Sequence, residues 1–229
     1  MTGFDFDVIR RNLAYLFLDG MRFTLTLTTL AALGGVVFGT GIALLRLSGG
    51  RVLATVAAGY VNLVRALPLV LVIFWCYFLL PYVGQWLTGS VRPVRVGAFP
   101  SALITFVVFE AAFFSEIVRA GIGSIPRGQA AAGQALGLTQ LQVMGYIVLP
   151  QVFRIMLPVL LTQTIVLFQD TSLVYVISLT DFFGAASKVA QRDGRLVEMY
   201  SFAAVIYFAM SFLASQGVRR LQARIAIPG

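Results

Sequence analysis

Histidine is missing altogether from the 229 residues, cysteine occurs once, at Cys76, and lysine once, at Lys188. Without histidine there are no imidazole metal sites, no His-dependent acid–base pairs and no His proton relays. A lone cysteine forms no internal disulfide and anchors no multi-cysteine metal site. Most enzyme chemistries go with them. Charge is scarce too: Asp, Glu, Lys and Arg make up 11% of the chain against 59% hydrophobic residues, and mean hydropathy is +0.90. A soluble domain needs about a quarter of its residues charged to cover its surface. The deficit therefore places much of this surface in lipid. The formal net charge of +8 comes from scattered basic residues, which suits loop charges that hold topology and not a nucleic-acid-binding surface.

What is present is long uncharged sequence. A charge near the bilayer centre costs at least ~2.5 kcal/mol on insertion scales, so charge-free windows locate crossings. Three such windows lie between Arg22 and Arg46, between Arg65 and Arg92, and between Glu198 and Arg219. Two more carry charges inside them: Val96 to Val118 holds Glu110 and Glu116, and Val152 to Leu179 holds Arg154 and Asp170. The expectation is an all-α membrane protein with five transmembrane helices, about 23–45, 62–83, 97–118, 151–179 and 198–218, forming one transmembrane domain over 1–229. At about 20 residues per crossing the chain holds about seven spans at most, too few for a typical secondary carrier, so oligomerisation is expected. The first window lacks a signal-peptide cleavage pattern and reads as a retained span after a polar tail. Gly35-x-x-x-Gly39 in it is a close-packing motif. An odd number of spans puts the termini on opposite sides, yet the arginine tally is nearly even. Arg219, Arg220 and Arg224 after the last span lean the C-terminus toward the cytoplasm.

Residues 120–150 form the longest connection on that side and read as helix, turn, helix. Pro126 suits the first turn of one helix, Ala130 to Gly133 fill its middle, and Gly137 supplies a stop. Thr139 with Gln142 forms a T-x-x-Q capping box that opens a second helix running to Pro150. A face of Ala and Gly admits another backbone closely, which fits docking into a partner's groove; an ordinary interfacial loop is the other reading.

The spacing Ala131-Ala132-Gly133, three residues, Gly137, nine residues, then Ile147-Val148-Leu149-Pro150 resembles the EAA loop of permease subunits of bacterial ABC importers. The resemblance extends through Phe109 to Gln129, Leu149 to Arg154, Gln169 to Phe183 and Tyr60 to Val72. It is similar to the permeases for polar amino acids, and IVLFQDTSLVYV and RDGRLVEM are most similar to the glutamate/aspartate importer's permease. The family's acidic first residue is Ala131 here and its second Ala is Gly133, which leaves docking by shape rather than by a polar contact. The resemblance implies a type I ABC importer permease fold in the bacterial inner membrane, N-terminus periplasmic and C-terminus cytoplasmic. It implies that Arg127, Gly128, Gln129, Ala131, Ala132, Gly133, Gly137, Leu149 and Pro150 couple to a cytoplasmic ATP-binding subunit dimer. A second permease, sister or identical, and a periplasmic substrate-binding protein complete the assembly, with an amino acid, glutamate or aspartate, as cargo. The chain itself has no G-x-x-x-x-G-K-[ST] phosphate loop, since Lys188 follows Gly184-Ala185-Ala186-Ser187. It is therefore expected to be no enzyme and to bind no cofactor, with ATP and Mg held by the partner.

Ionisable residues within a span default to a functional reading with a named partner. Glu116 and Arg119, i and i+3, form either a structural ion pair or a gate contact. Glu110 faces either the permease dimer or the pore. Arg65 and Arg154 are either snorkelling anchors or attractors for an anionic amino acid. Gln163, Gln169, Asp170, Thr171 and Ser172 follow Pro158 in the most polar part of the fourth span. They read as a midplane substrate path beside a broken helix, and Asp170-Thr171-Ser172 reads also as an N-cap. The charged loop from Asp181 to Glu198 is either a landing surface for the binding protein or solvated loop. Two functions from other classes stay open: a non-transporting regulatory membrane subunit, and an ion-coupled carrier, although no repeat at half length is visible.

Overall fold

In lipid no water is at hand for a free backbone N–H or C=O, so each segment that crosses has to pair these groups along itself. The computed structural model, which describes residues 4–48 and 50–225, is accordingly helical in every regular element among the described residues. Five segments are long and apolar enough to cross a membrane: Phe6–Leu47, Leu69–Thr88, Ala98–Gly123, Gln140–Ile177 and Leu196–Ile225.

The first of these is longer than its charge-free window. Helix α1 (Phe6–Ala14) passes through a π-helical stretch (Tyr15–Met21) into α2 (Arg22–Ser48). The polar residues ahead of Arg22 are thus helical, not a tail. Asp5 caps α1 by accepting the Asp7 N–H at 2.9 Å, and Val8, Asn12 and Leu16, one turn apart, form its buried stripe. The second crossing also differs from the window 62–83. Helix α3 (Arg51–Arg65) is separate, and α4 (Leu69–Thr88) begins only after Pro68. Proline has no N–H to donate and keeps the preceding residue out of the α region, so the chain breaks there.

Helix α5 (Ala98–Gly123) is the post around which the others stand. In its most apolar stretch 61% of the residues are buried, against at most 28% in the other four crossings, which face outward. Helix α2 packs along α5 over the most extensive interface in the molecule, and the Gly35/Gly39 motif is the reason. A Cβ on Gly39 would lie 2.9 Å from the Ala111 carbonyl oxygen and from Phe114 Cβ, and one on Gly35 would lie 2.8 Å from the Phe114 ring. The two backbones touch because no side chain separates them.

Helix α6 (Arg127–Ala135) lies off the end of α5, and α7 (Gln140–Val143) opens the fourth crossing. The second helix of the connection does not stop at Pro150. It continues through a π-helical stretch (Met144–Val148) into α8 (Leu149–Asp170). A proline in the first turn of an α-helical stretch gives up an N–H that would lack an α-helical partner anyway. Pro158 does not break α8 either, and Thr162 Oγ1 donates to its carbonyl at 2.9 Å. The irregularity comes later, where the helix tightens to 3-10 geometry over Thr171–Ile177 and ends at Ser178, φ 64°. Helix α9 (Phe182–Asp193) packs against the π-helical stretch Tyr15–Met21 and against α10 (Leu196–Ile225), the last crossing.

Gly39→Val should overfill the α2–α5 contact and lower stability by about 1–3 kcal/mol, the usual cost of overpacking. Gly41→Val, at a position where nothing lies near the added Cβ, should be neutral or slightly stabilising, since glycine is the poorer helix former. Thermal unfolding of the purified protein in detergent, followed by aggregation onset, distinguishes them.

Candidate coupling segment and intramembrane polar sites

The connection 124–150 is held as a unit by backbone chemistry. After α6, the Leu138 N–H donates to the Gly133 carbonyl at 3.1 Å and the Gly137 N–H to the Gln134 carbonyl at 2.9 Å, with Gly137 at φ 83°. This is the Schellman arrangement, which places its left-handed residue one position past the C-cap. The expected T-x-x-Q box is present: Gln142 N–H donates to Thr139 Oγ1, and Thr139 N–H to Gln142 Oε1 at 2.9 Å.

Within this unit the small residues divide their work. Gly133 is buried against Val143 and Ile147, where an added Cβ would lie 3.0 and 2.6 Å from their side chains. Its smallness therefore serves packing inside the chain. Gly128, Gln129, Ala131 and Ala132 face outward, as do Leu149 and Pro150. Leu136, Leu141 and Tyr146 are 83%, 86% and 75% exposed. The segment beyond the crossing α5 thus presents an outward apolar face.

The expected pair of Glu116 with Arg119 exists, but Glu116 is shared. Arg119 Nε and Nη2 donate to Oε2 at 3.0 and 2.8 Å, and Arg46, at the end of α2, donates to Oε1 at 2.6 Å. Arg46 was missed because the partnership spans 70 residues; the one available signal was its place in the last turn of α2.

Glu110 is fully buried between α2, α5 and α8. Its Oε2 accepts the Gln163 amide at 3.1 Å, while Oε1 has no partner among the described residues. It therefore faces neither an open wall nor a surface of this chain, contrary to both sequence readings. Asp170 caps nothing. The cap belongs to Asp181, which accepts the Gly184 and Phe183 N–H groups at 2.9 and 3.0 Å. Thr24 Oγ1 accepts the Phe182 N–H at 2.9 Å, tying α9 to α2. Burial pushes the Asp181 carboxyl up to about 6, against the opposing pull of those N–H donors. Thr171 is buried and donates to the Phe168 carbonyl, so it supports the backbone.

Gln169 and Ser172 do reach open space. They line a groove of about 640 Å3 against α10, with Tyr207, Ser211, Ser215 and Arg219 on the facing helix. Gln169 Nε2 donates to Ser211 Oγ at 2.9 Å. The α10 residues were not singled out from sequence, although their four-residue spacing in an otherwise apolar helix is a visible polar stripe. Further along, the charges of the 181–198 loop are spent within the chain. Arg192 pairs with Asp193, holding that carboxyl below its usual range, and Arg195 contacts Asp5 and Glu198 at 3.7 and 3.2 Å.

Comparison with known proteins identifies the type of molecule. Residues 35–227 match the family described as binding-protein-dependent transport system inner membrane component. The chain is 49% identical to the glutamate/aspartate import permease protein GltK of Escherichia coli O157:H7 over 99% of its length and 100% of that protein. It is 31% identical to the glutamine transport system permease protein GlnP of Escherichia coli K12, covering 93% of this chain and 94% of the relative. A crystal structure of an amino-acid ABC transporter with histidines contains a chain that superposes with a TM-score of 0.84 at 31% identity, covering 98% of this chain and 100% of that one.

Glu116→Gln should leave Arg46, 13% exposed, without a counter-charge. Stability should fall by about 1–3 kcal/mol, between the exposed and the fully buried case for this part-buried pair, and the double variant with Arg46→Met should recover part of it. Thermal melts of the two variants check this.

Proposed function

Because the chain belongs to the family of binding-protein-dependent transport system inner membrane components, we propose that it is the permease of an ATP-driven importer whose cargo is glutamate or aspartate. It is a multi-pass protein of the inner membrane with five apolar crossings, and a permease subunit of an amino-acid ABC importer. The acidic cargo is carried by one observation: 49% identity across 99% of the chain with a glutamate/aspartate permease, against 31% with a glutamine permease.

The assembly follows from what the chain lacks and what it exposes. It has no phosphate loop, so ATP and Mg belong to a cytoplasmic ATP-binding subunit dimer, and this chain binds no cofactor of its own. The outward side of α6, Gly128, Gln129, Ala131 and Ala132, seats in that subunit, with Arg127 at its start and Gly137 closing it. Leu149 and Pro150 carry the contact onto α8. This orientation puts the C-terminus in the cytoplasm and the N-terminus in the periplasm, which the arginines at the end of α10 support. A second permease completes the pathway, and a periplasmic substrate-binding protein delivers the cargo at the opposite face.

The cargo path passes Gln169, Asp170 and Ser172, where α8 gives way to 3-10 geometry and Gln169 and Ser172 line an open groove. Glu110 with Gln163 stands behind it as a buried brace, Thr171 fixes the turn, and Glu116 organises the charges at the cytoplasmic mouth.

Reconstitution with ATPase and binding protein tests the whole reading: uptake of glutamate or aspartate should require ATP. Gly137→Val imposes about 1–2 kcal/mol of left-handed strain and should abolish coupled uptake or assembly while the crossings stay folded. Asp170→Asn should alter uptake rates with the complex intact on gel filtration; unchanged kinetics would remove Asp170 from the path.

A further inference from the structure

Glu116 is surrounded by more positive charge than it neutralises. Arg46 gives its carboxylate one N–H bond and Arg119 gives two. A carboxylate has about four acceptor sites, so roughly one is left. Arg65, in the last turn of α3, stands 4.0 Å from Oε1, beyond hydrogen-bond reach, and its guanidinium lies over the Phe113 ring, 5.4 Å from the centroid. It has no hydrogen bond to any described residue, and its side chain is 45% exposed. The contact with the Phe113 ring holds the guanidinium in place and leaves its N–H groups without a hydrogen bond, and free guanidinium N–H groups can take a carboxylate in bidentate fashion.

These N–H groups border an open-sided cavity of about 440 Å3 between α3, α5 and α8, with Arg65 and Glu116 among largely apolar walls such as Ile117, Ile155 and Val159. At about 30 Å3 per water, that leaves room for a small amino acid and part of its hydration shell. Three guanidiniums against one carboxylate leave a local charge of two positive units. The donor set is thus a free fork for an anion, one spare acceptor about 4.0 Å away for a cation, and surplus positive charge for a second anion. An acidic amino acid carries those three groups: α-carboxylate, ammonium and side-chain carboxylate. A phospholipid phosphate would use the fork and leave the acceptor idle.

We propose that the cavity beside Arg65 is a second binding station for the acidic amino acid, at the cytoplasmic end of its path, with Arg65 taking the α-carboxylate and Glu116 the ammonium. The station rests on the acidic-cargo reading above. Glu116 does not dissociate from Arg46 and Arg119 to serve it, so cargo can enter and leave without breaking the tie between α2 and α5.

The complete importer, reconstituted in proteoliposomes with and without acidic phospholipid, tests this by radiolabelled glutamate uptake alongside ATP hydrolysis stimulated by the binding protein. Arg65→Gln should cut uptake at least tenfold while stimulated hydrolysis stays within twofold. Arg65→Lys should recover part of the uptake, and Arg51→Gln, on the exposed first turn of α3, should match the wild type. Unchanged uptake in Arg65→Gln overturns the station. So does a parallel fall in uptake and hydrolysis, which would make Arg65 part of a helix latch. Wild-type uptake that drops to the Arg65→Gln level when acidic lipid is withheld assigns the cavity to a lipid headgroup and also overturns it. A wild-type importer that carries a neutral amino acid instead overturns the acidic-cargo reading by itself. The ratio of uptake to hydrolysis for Arg65→Gln with that amino acid then decides the station.

Discussion

The direct contact of α2 with α5 is the constraint on which the other arrangements rest. Gly35 and Gly39 let the helices meet backbone to side-chain base, at Ala111 and Phe114, and this sets where the charges at their ends fall. Arg46 and Glu116 come within 2.6 Å only because no side chain separates α2 from α5 a turn or two earlier. Van der Waals packing between small residues holds membrane helices where no hydrophobic driving force between them exists. The same surface that hides Glu110 from lipid is provided by that contact and by α8, so burial of this carboxyl is a result of packing and not a separate device.

Much of this was legible in the sequence. Windows without charge gave the number of crossings, because lipid tolerates few ionised groups and this chain spaces them at helix ends. The capping box at Thr139 and the stop at Gly137 were readable too, since each depends on two or three neighbouring residues. What resisted reading were features decided across long separations or by continuity. Val8, Asn12 and Leu16 turn a polar N-terminus into a packed helix only when α9 and α10 are there to receive them. Pro150 and Pro158 look like breaks, yet π-helical slack and a threonine hydroxyl accommodate them. Glu116 showed its neighbour Arg119, while Arg46, from another helix, was invisible. The intramembrane set was sorted in the same way. Gln169 and Ser172 reach a groove because α10 opposes them with hydroxyls, whereas Glu110 and Thr171 turn inward.

The polar groups of the membrane region are arranged along the length of the bundle rather than gathered in one place. Asp181 with Thr24 and Tyr207 sits near one end, Gln169 with Ser211 and Glu110 with Gln163 lie between, and Glu116 with its arginines sits near the other. Each joins helices that are distant in sequence, and among the described residues the buried side-chain atoms left without a hydrogen bond are Glu110 Oε1 and, elsewhere on α5, Ser101 Oγ. Pairing of this kind fixes which helices are neighbours more narrowly than apolar contact does, because an orphaned polar atom in lipid costs several kcal/mol. The chain uses polarity to specify the bundle and leaves only a few groups unspent at its open surfaces.

The continuity of the helical run from Gln140 to Ile177 has a mechanical consequence. Thirty-eight residues at about 1.5 Å each make a rod of about 57 Å, with one tip beside α6 and the other beyond Asp170. A pivot of about 5° around its middle would carry each tip about 2.5 Å in opposite directions. The α-helical body Leu149–Asp170 would carry such a pivot, while the π-helical Met144–Val148 and the 3-10 Thr171–Ile177 on either side of it are where the run can bend.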